Sequence, residues 1–249
     1  MVTKVRTMRK MLSMMVLMVI VAAGFTIAAP ENANAGNGGS NPTEAEWLPL
    51  NTDVYATVVH YKTNYYYKFT TDNMSGVTYT AKTVSMGNEH IKGKILDSDF
   101  NDYYSESGYS TFGAGPGEGN TSDKFHLKKN ATYYVVMCAP YWGENLPYML
   151  RLQKNITKPS KPIIESMKAG KKKFTIRYYK SNYATKYQIR YKVKGGYWSK
   201  IKNNGLKLKY TKKGLRSGKK YTVQVRGVRT VNGKNYVGKW SSKKTIKVR

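Results

Sequence analysis

Leu215, Gly218 and Tyr221 stand three positions apart in the run GLRSGKKYTVQVRGVR, Gly214 to Arg229, which restricts the fold more than any other stretch of the chain. A leucine closing one strand, a glycine turning the chain and a tyrosine opening the next strand, its hydroxyl free to bond backbone upstream, make the corner of a β-sandwich. Beyond the corner, Tyr221, Val223 and Val225 alternate with Thr222, Gln224 and Arg226. A period of two is that of a strand with one buried face.

The charge is distributed unevenly around this strand. The 249 residues carry a net charge of +29, yet residues 1 to 30 hold four Lys and Arg and no acid, and residues 31 to 157 hold ten against thirteen. Residues 158 to 249 hold twenty-nine cations against a single acid, Glu165. Attraction to a polyanion is therefore an expectation for the last third of the chain alone.

Lys4, Arg6, Arg9 and Lys10 precede the apolar run LSMMVLMVIVAAGFTIAA, which is followed by Pro30 and the small-residue site Ala33, Asn34, Ala35. This is the pattern of a secretory signal peptide over residues 1 to 35, cleaved after Ala35, with an uncleaved membrane anchor as the alternative. After cleavage no membrane span is expected. Cys138 is the only cysteine, so no internal disulfide supports the exported chain and the thiol reads as a small buried hydrophobe. A lysine-rich, disulfide-free secreted protein suggests a bacterium without a disulfide-forming habit.

Residues 36 to 46 are rich in Gly, Asn and Ser and read as a flexible linker. Residues 47 to 155 then carry strand patterns at Val54 to Val59, Tyr65 to Thr70, GVTYTAKTVS, IKGKILDSD, KFHLKKNATYYVVMCAP and PYMLRLQK. A long polar, glycine-rich loop, FNDYYSESGYSTFGAGPGEGNTSD, separates the fourth pattern from the fifth. With no amphipathic helix of more than two turns, the region is all-β. The order of LPLNTDVYATV, YYYKFTT, KILDSD, HLKKNATYYVVM and PYMLRL resembles the bacterial pre-peptidase C-terminal domain. That resemblance implies a jelly-roll-like β-sandwich acting as a non-catalytic accessory module.

Enzyme chemistry finds little footing in the sequence. H-E-x-x-H, G-x-S-x-G and the P-loop pattern are all missing, and Cys138 has no partner pattern. His60, His90 and His126 read as surface or packing residues. Gly113, Gly115, Gly117 and Gly119 recur at every second position, but no helix follows to make a phosphate cradle, and a flexible loop is the better account. Asp97, Asp99 and Asn101 open like an oxygen-donor calcium loop, although EF-hand positions six and twelve are wrong. A turn-forming Asx cluster is the first reading and calcium, the one cofactor considered, is the alternative. Tyr103, Tyr104, Tyr109 and Phe112 make the long loop aromatic, which suits recognition.

Thr157 to Pro162, with two prolines, lies within a second linker over residues 156 to 162. Residues 158 to 249 follow with KKFTIRYYK, ATKYQIRYKVKGG, YWSKIKN, LKLKYTKKGL, KKYTVQVRGVR and YVGKWSSKKTIKVR, and a leader strand near Pro162 to Met167. About seven strands in roughly ninety residues is the signature of an immunoglobulin-like sandwich. The segment resembles the lysine-rich fibronectin type III domains of secreted Gram-positive proteins. In that family a tryptophan usually fills the core from the second strand, and Tyr178 takes its place here.

Alternation assigns the faces of this domain. Phe174, Ile176 and Tyr178 oppose Lys173, Thr175 and Arg177; Tyr187, Ile189, Tyr191 and Val193 oppose Gln188, Arg190, Lys192 and Lys194; Leu206, Leu208 and Tyr210 oppose Lys207 and Lys209. Both outer surfaces are then basic, with Arg177, Arg190, Lys192, Lys194, Lys207, Lys209 and Arg226 as candidate polyanion contacts. Trp198, Tyr236 and Trp240 sit near strand ends beside lysines, where an exposed ring stacks on a sugar or base and a covered one simply packs.

The expectation is thus two tandem β-sandwiches behind a signal peptide, secreted and wall-associated, binding without catalysis. The partner of the basic domain is an anionic cell-wall polymer or glycan. The alternatives are a host-directed adhesin that meets sulfated glycan or an extracellular matrix protein, and an accessory subunit of an extracellular hydrolase or an unrecognised hydrolase itself, whose catalytic acids would come from Asp97 to Asp102. For nucleic acid the charge suffices but a groove or stacking platform is missing.

Overall fold

The computed structural model describes residues 38 to 141 and 144 to 249, so the signal peptide expected over residues 1 to 35 lies outside the described residues. The described residues are all-β, with one short 3-10 turn among them at Pro42–Glu44. Among the described residues no helix is long and apolar enough to cross a membrane. Two compact units form, one of residues through Thr70, Ala81–Asp123 and Thr132–Gln153, the other of Thr71–Thr80, Lys124–Ala131 and Lys154–Arg249. The segments Thr71–Thr80 and Lys124–Ala131, assigned to the first domain on sequence grounds, group with the second unit and bridge through Tyr79 and Phe125.

The first ten strands are β1 (Glu46–Trp47), β2 (Val54–His60), β3 (Tyr65–Thr70), β4 (Val77–Ser85), β5 (Ile91–Leu96), β6 (Asp102–Tyr103), β7 (Thr111–Ala114), β8 (Gly119–Thr121), β9 (Thr132–Cys138) and β10 (Glu144–Ile156). One sheet runs β1-β3-β9-β5-β6 with β7 also on β5, and the other runs β2-β10-β4-β8. Alternate residues of β3, Tyr65, Tyr67 and Phe69, are buried, as are Val54, Ala56 and Val58 of β2. Tyr67 and Tyr148 meet across the core with hydroxyls 2.8 Å apart. That pairing satisfies two phenols that burial would otherwise leave without partners.

Two segments expected to be irregular are ordered, and in both the glycines serve close approach. The long loop after β5 is interrupted by β6, β7 and β8. A Cβ on Gly113 would stand 2.3 Å from the carbonyl oxygen of Ile91, and one on Gly93 would stand 2.5 Å from Phe112. Phe112 is accordingly a core residue. The supposed linker is likewise pinned from Gly39, whose N–H donates to Tyr66 O at 2.9 Å. Asn41 Oδ1 accepts from the N–H groups of Thr43 and Glu44 and caps the 3-10 turn.

The second sandwich comprises β11 (Ile164–Gly170), β12 (Lys173–Tyr178), β13 (Lys186–Val193), β14 (Lys202–Asn203), β15 (Lys209–Lys213), β16 (Lys220–Val231), β17 (Lys234–Val237) and β18 (Lys244–Lys247). One sheet runs β11-β12-β15; the other runs β14-β13-β16-β17 with β18 also on β16. Phe174, Ile176 and Tyr178 from the first meet Tyr187, Ile189, Val223 and Val225 from the second in one core. Tyr178, standing where the tryptophan was expected, packs edge-on against Tyr187 with ring centroids 5.0 Å apart. At the corner, Gly218 has φ +75°, a left-handed conformation in which a side chain would be strained.

Two face assignments fail, the first at Val193, which ends β13 and is 37% exposed. In the second, Leu206 and Leu208 are 63% and 41% exposed and precede β15, which begins only at Lys209. Asn204 explains this, because its Nδ2 donates to the carbonyl oxygens of Lys207 and Lys209 and to Tyr178 Oη. A side chain bonding local backbone in this way holds a turn where the alternation alone suggested a strand.

Candidate polyanion interface

Cross-strand pairing on β13 and β16 places Gln188 opposite Arg226 and Arg190 opposite Gln224, all four on the side away from the core. Arg190 donates from Nε and Nη2 to Gln224 Oε1 at 3.1 and 2.7 Å, and Arg226 donates from Nε to Gln188 Oε1 at 2.9 Å. Gln224 is fixed in turn by donating to Ser241 O at 2.7 Å, and Gln188 by donating to Asn203 Oδ1 at 3.2 Å. The acceptors of both guanidiniums are therefore neutral amides, which orient a cation without cancelling its charge.

The tryptophans complete this array. Arg190 lies 4.3 Å from the ring centroid of Trp198 and 4.3 Å from that of Trp240, Arg226 lies 4.4 Å from Trp240, and the Lys192 ammonium is 5.2 Å from Trp198. Contacts at this distance are attractive because the face of an indole is electron-rich. Burial holds both guanidiniums below the usual arginine value, and for Arg226 the neighbouring Arg190 charge adds to the effect. Trp198 and Trp240 thus serve cations on their own domain, whereas the sequence had left open that they are platforms for sugars or bases.

The remaining candidates are scattered. Arg177 and Lys209 sit directly opposite each other on β12 and β15, on the outer face of the other sheet. Lys194 is exposed just past β13, and Lys207 lies in the turn before β15. Tyr236 pairs with Arg229 in the β16–β17 ladder and has the Lys234 ammonium 5.7 Å from its ring. In the first unit Tyr104 and Tyr109 are 59% and 66% exposed, but Tyr103 packs edge-on against Tyr133 at 5.4 Å. Only two of the three loop tyrosines are thereby presented to solvent.

Asp97 forms a turn. Its Oδ1 accepts from the N–H groups of Asp99 and Asn101 at 2.9 and 3.0 Å, which is an Asx turn. Asp102 is drawn off to Lys94 at 2.8 Å. Among the described residues no three His, Cys, Asp or Glu side chains group together, and of Asp97, Asp99 and Asn101 it is the Asp97 carboxylate that the turn engages.

Residues that sequence reasoning passed over include Gln188, Gln224 and Ser241, whose role depends on which strands become neighbours. A second feature is a cleft of about 520 Å³ between the glycine-rich hairpin and β5, lined in part by His90, Lys92, Phe112 and Glu118. Its walls are β7 and β8, the strands that had been read as loop. Cys138 is partly buried in β9, and burial raises its thiol pKa.

The fold and the site together define an all-β protein of two sandwiches, the second bearing an ordered cationic surface. No family model matches the sequence, and no curated protein matches it. Among solved structures, the FN5 domain of Drosophila Lar is similar at 17% identity and a TM-score of 0.28, over 36% of this chain and 96% of its own. A Fn3-like protein from Clostridium thermocellum is similar at 19% identity and a TM-score of 0.27, over 37% and 93%. A beta-1,2-glucanase from Parabacteroides distasonis is similar at 12% identity and a TM-score of 0.33, over 84% of this chain and 35% of the glucanase.

Proposed function

We propose that this chain is a secreted, non-catalytic binding protein whose basic domain, of fibronectin type III type over residues 158 to 249, attaches to an anionic cell-wall polymer or glycan. The observation that carries this reading is the array on β13 and β16, where Arg190 and Arg226 are held by Gln224, Gln188, Trp198 and Trp240 with amide acceptors in place of carboxylates. Cations ordered in this way keep their full attraction for an external anion. Arg177, Lys192, Lys194, Lys207 and Lys209 add to the field. The first domain, over residues 47 to 155, would present Tyr104 and Tyr109 to a glycan or matrix protein.

Attachment of this kind releases counterions, so affinity falls steeply as salt rises. The test is retention of the secreted chain on purified wall polymer, sulfated glycan and duplex DNA over a salt series. Retention on the wall polymer that is lost as salt rises supports the reading, and no retention even at low salt overturns it.

A further inference from the structure

The sheet β11-β12-β15 carries a second set of cations with a different geometry. Lys173 faces Lys213, Thr175 faces Thr211 and Arg177 faces Lys209, while on the other side of β12 Lys168 stands beside Thr175 and Ser166 beside Arg177. Each of these three rungs bears at least one cation, and two bear a like-charged pair directly opposed across the ladder. Such pairs are destabilising. The rungs repeat about every 7 Å along the strands, with neighbouring strands about 4.8 Å apart. A shallow groove of about 300 Å³ runs between them, lined by Lys168, Lys173, Thr175, Arg177 and Lys209 among others. Neither a carboxylate nor an aromatic ring is among its described lining residues. Glu165 lies to one side, at the β-bulge between Ile164 and Ser166.

We infer that this groove, resting on the polyanion reading above, is the docking face for a linear phosphodiester polymer with a slim, non-aromatic repeat. Charge complementarity selects an anion. Ammonium groups bind phosphate as point charges, and here they are spaced in rows along the strands. Thr175 and Thr211 have their hydroxyl oxygens 2.9 Å apart. One hydroxyl proton is used in that bond, and the other remains to donate to a phosphate oxygen. With no ring to stack on, the groove has no platform for a base or a sugar, which separates it from single-strand nucleic-acid and glycan sites.

The test compares two full-length variants matched in net charge on immobilised poly(glycerol phosphate). One is K168Q/K173Q/R177Q/K209Q in the groove; the other is K202Q/K219Q/K220Q/K247Q, all exposed elsewhere on the same domain. The groove variant is expected to lose at least about tenfold in affinity, with a log–log salt slope shallower by roughly three. The control is expected to lose less than about threefold. Relief of the like-charge rungs is also expected to raise the melting temperature of the groove variant, a change that damage to the fold would reverse. Equal losses in the two variants would overturn the groove while leaving attachment by the domain's overall charge in place. Failure of the parent chain to bind would overturn both. Equal or tighter binding of a sulfated glycan would overturn the phosphodiester assignment, and equal or tighter binding of single-stranded DNA would overturn the slim, non-aromatic repeat.

Discussion

The hydroxyl of Tyr221 accepts a hydrogen bond from the backbone N–H of Arg216 at 3.1 Å, five residues back along the chain. The ring itself is buried in the core beside Phe174, so the bond ties the turn at Gly218 to the interior. Tyr221→Phe keeps the ring and leaves that N–H without its acceptor, at a cost of about 1 to 2 kcal/mol. Urea unfolding should show a lower midpoint with an unchanged slope. An unchanged midpoint would mean the corner is held by its apolar contacts alone.

Trp240 has two guanidiniums close to its ring, at 4.3 and 4.4 Å. Replacing it with Leu retains apolar cover and removes the electron-rich face, and should destabilise the domain by about 1 kcal/mol, most of it lost in high salt. Thermal melts at low and high salt check this, since a packing role alone would leave the difference independent of salt.

Gly93 tests close approach in the first unit. A Cβ there would stand 2.5 Å from Phe112 Cε2 and 2.6 Å from Met137 Sδ. Gly93→Ala should cost roughly 1 to 3 kcal/mol through overpacking. The double variant with Phe112→Leu should recover part of that loss, and no recovery would place the strain in the backbone.

Tyr178 makes the second sandwich sensitive to alkali. Chiefly through burial, its phenol pKa is raised from 10.0 to about 12 in the folded chain. Between those values the unfolded chain has released a proton that the folded chain still holds, so stability falls as pH rises through this window. The contribution is about 3 kcal/mol by linkage. Denaturant midpoints at about pH 9 and pH 11 should differ more in the parent than in Tyr178→Phe. Equal differences would assign the loss to other tyrosines.

β12 was legible because it buries one face, so Phe174, Ile176 and Tyr178 alternate without interruption, and β16 because Val223 and Val225 alternate with Thr222 and Gln224 in residue type even though these polar residues are buried as well. Leu206 and Leu208 misled for the same reason. They alternate too, but Asn204 turns the chain beneath them, and a turn made by one amide leaves no periodic trace. Gly113 and Gly39 were read as freedom of the chain, whereas a glycine needed for close contact looks identical in sequence to one needed for flexibility. Arg190 and Trp240 were both legible as candidates. Their stacking was not, because it joins β13 to the segment after β17, fifty positions on.

Among the described residues β15 ends its sheet, with β12 on one side and no strand on the other. An edge strand offers open backbone groups that a strand from another molecule can pair with, and such pairing starts aggregation. Lys209, Lys212 and Lys213 occupy three of its five positions. Two copies of the protein meeting along this edge would bring like charges into register, so the domain can be crowded at a surface without its sheets fusing into one another.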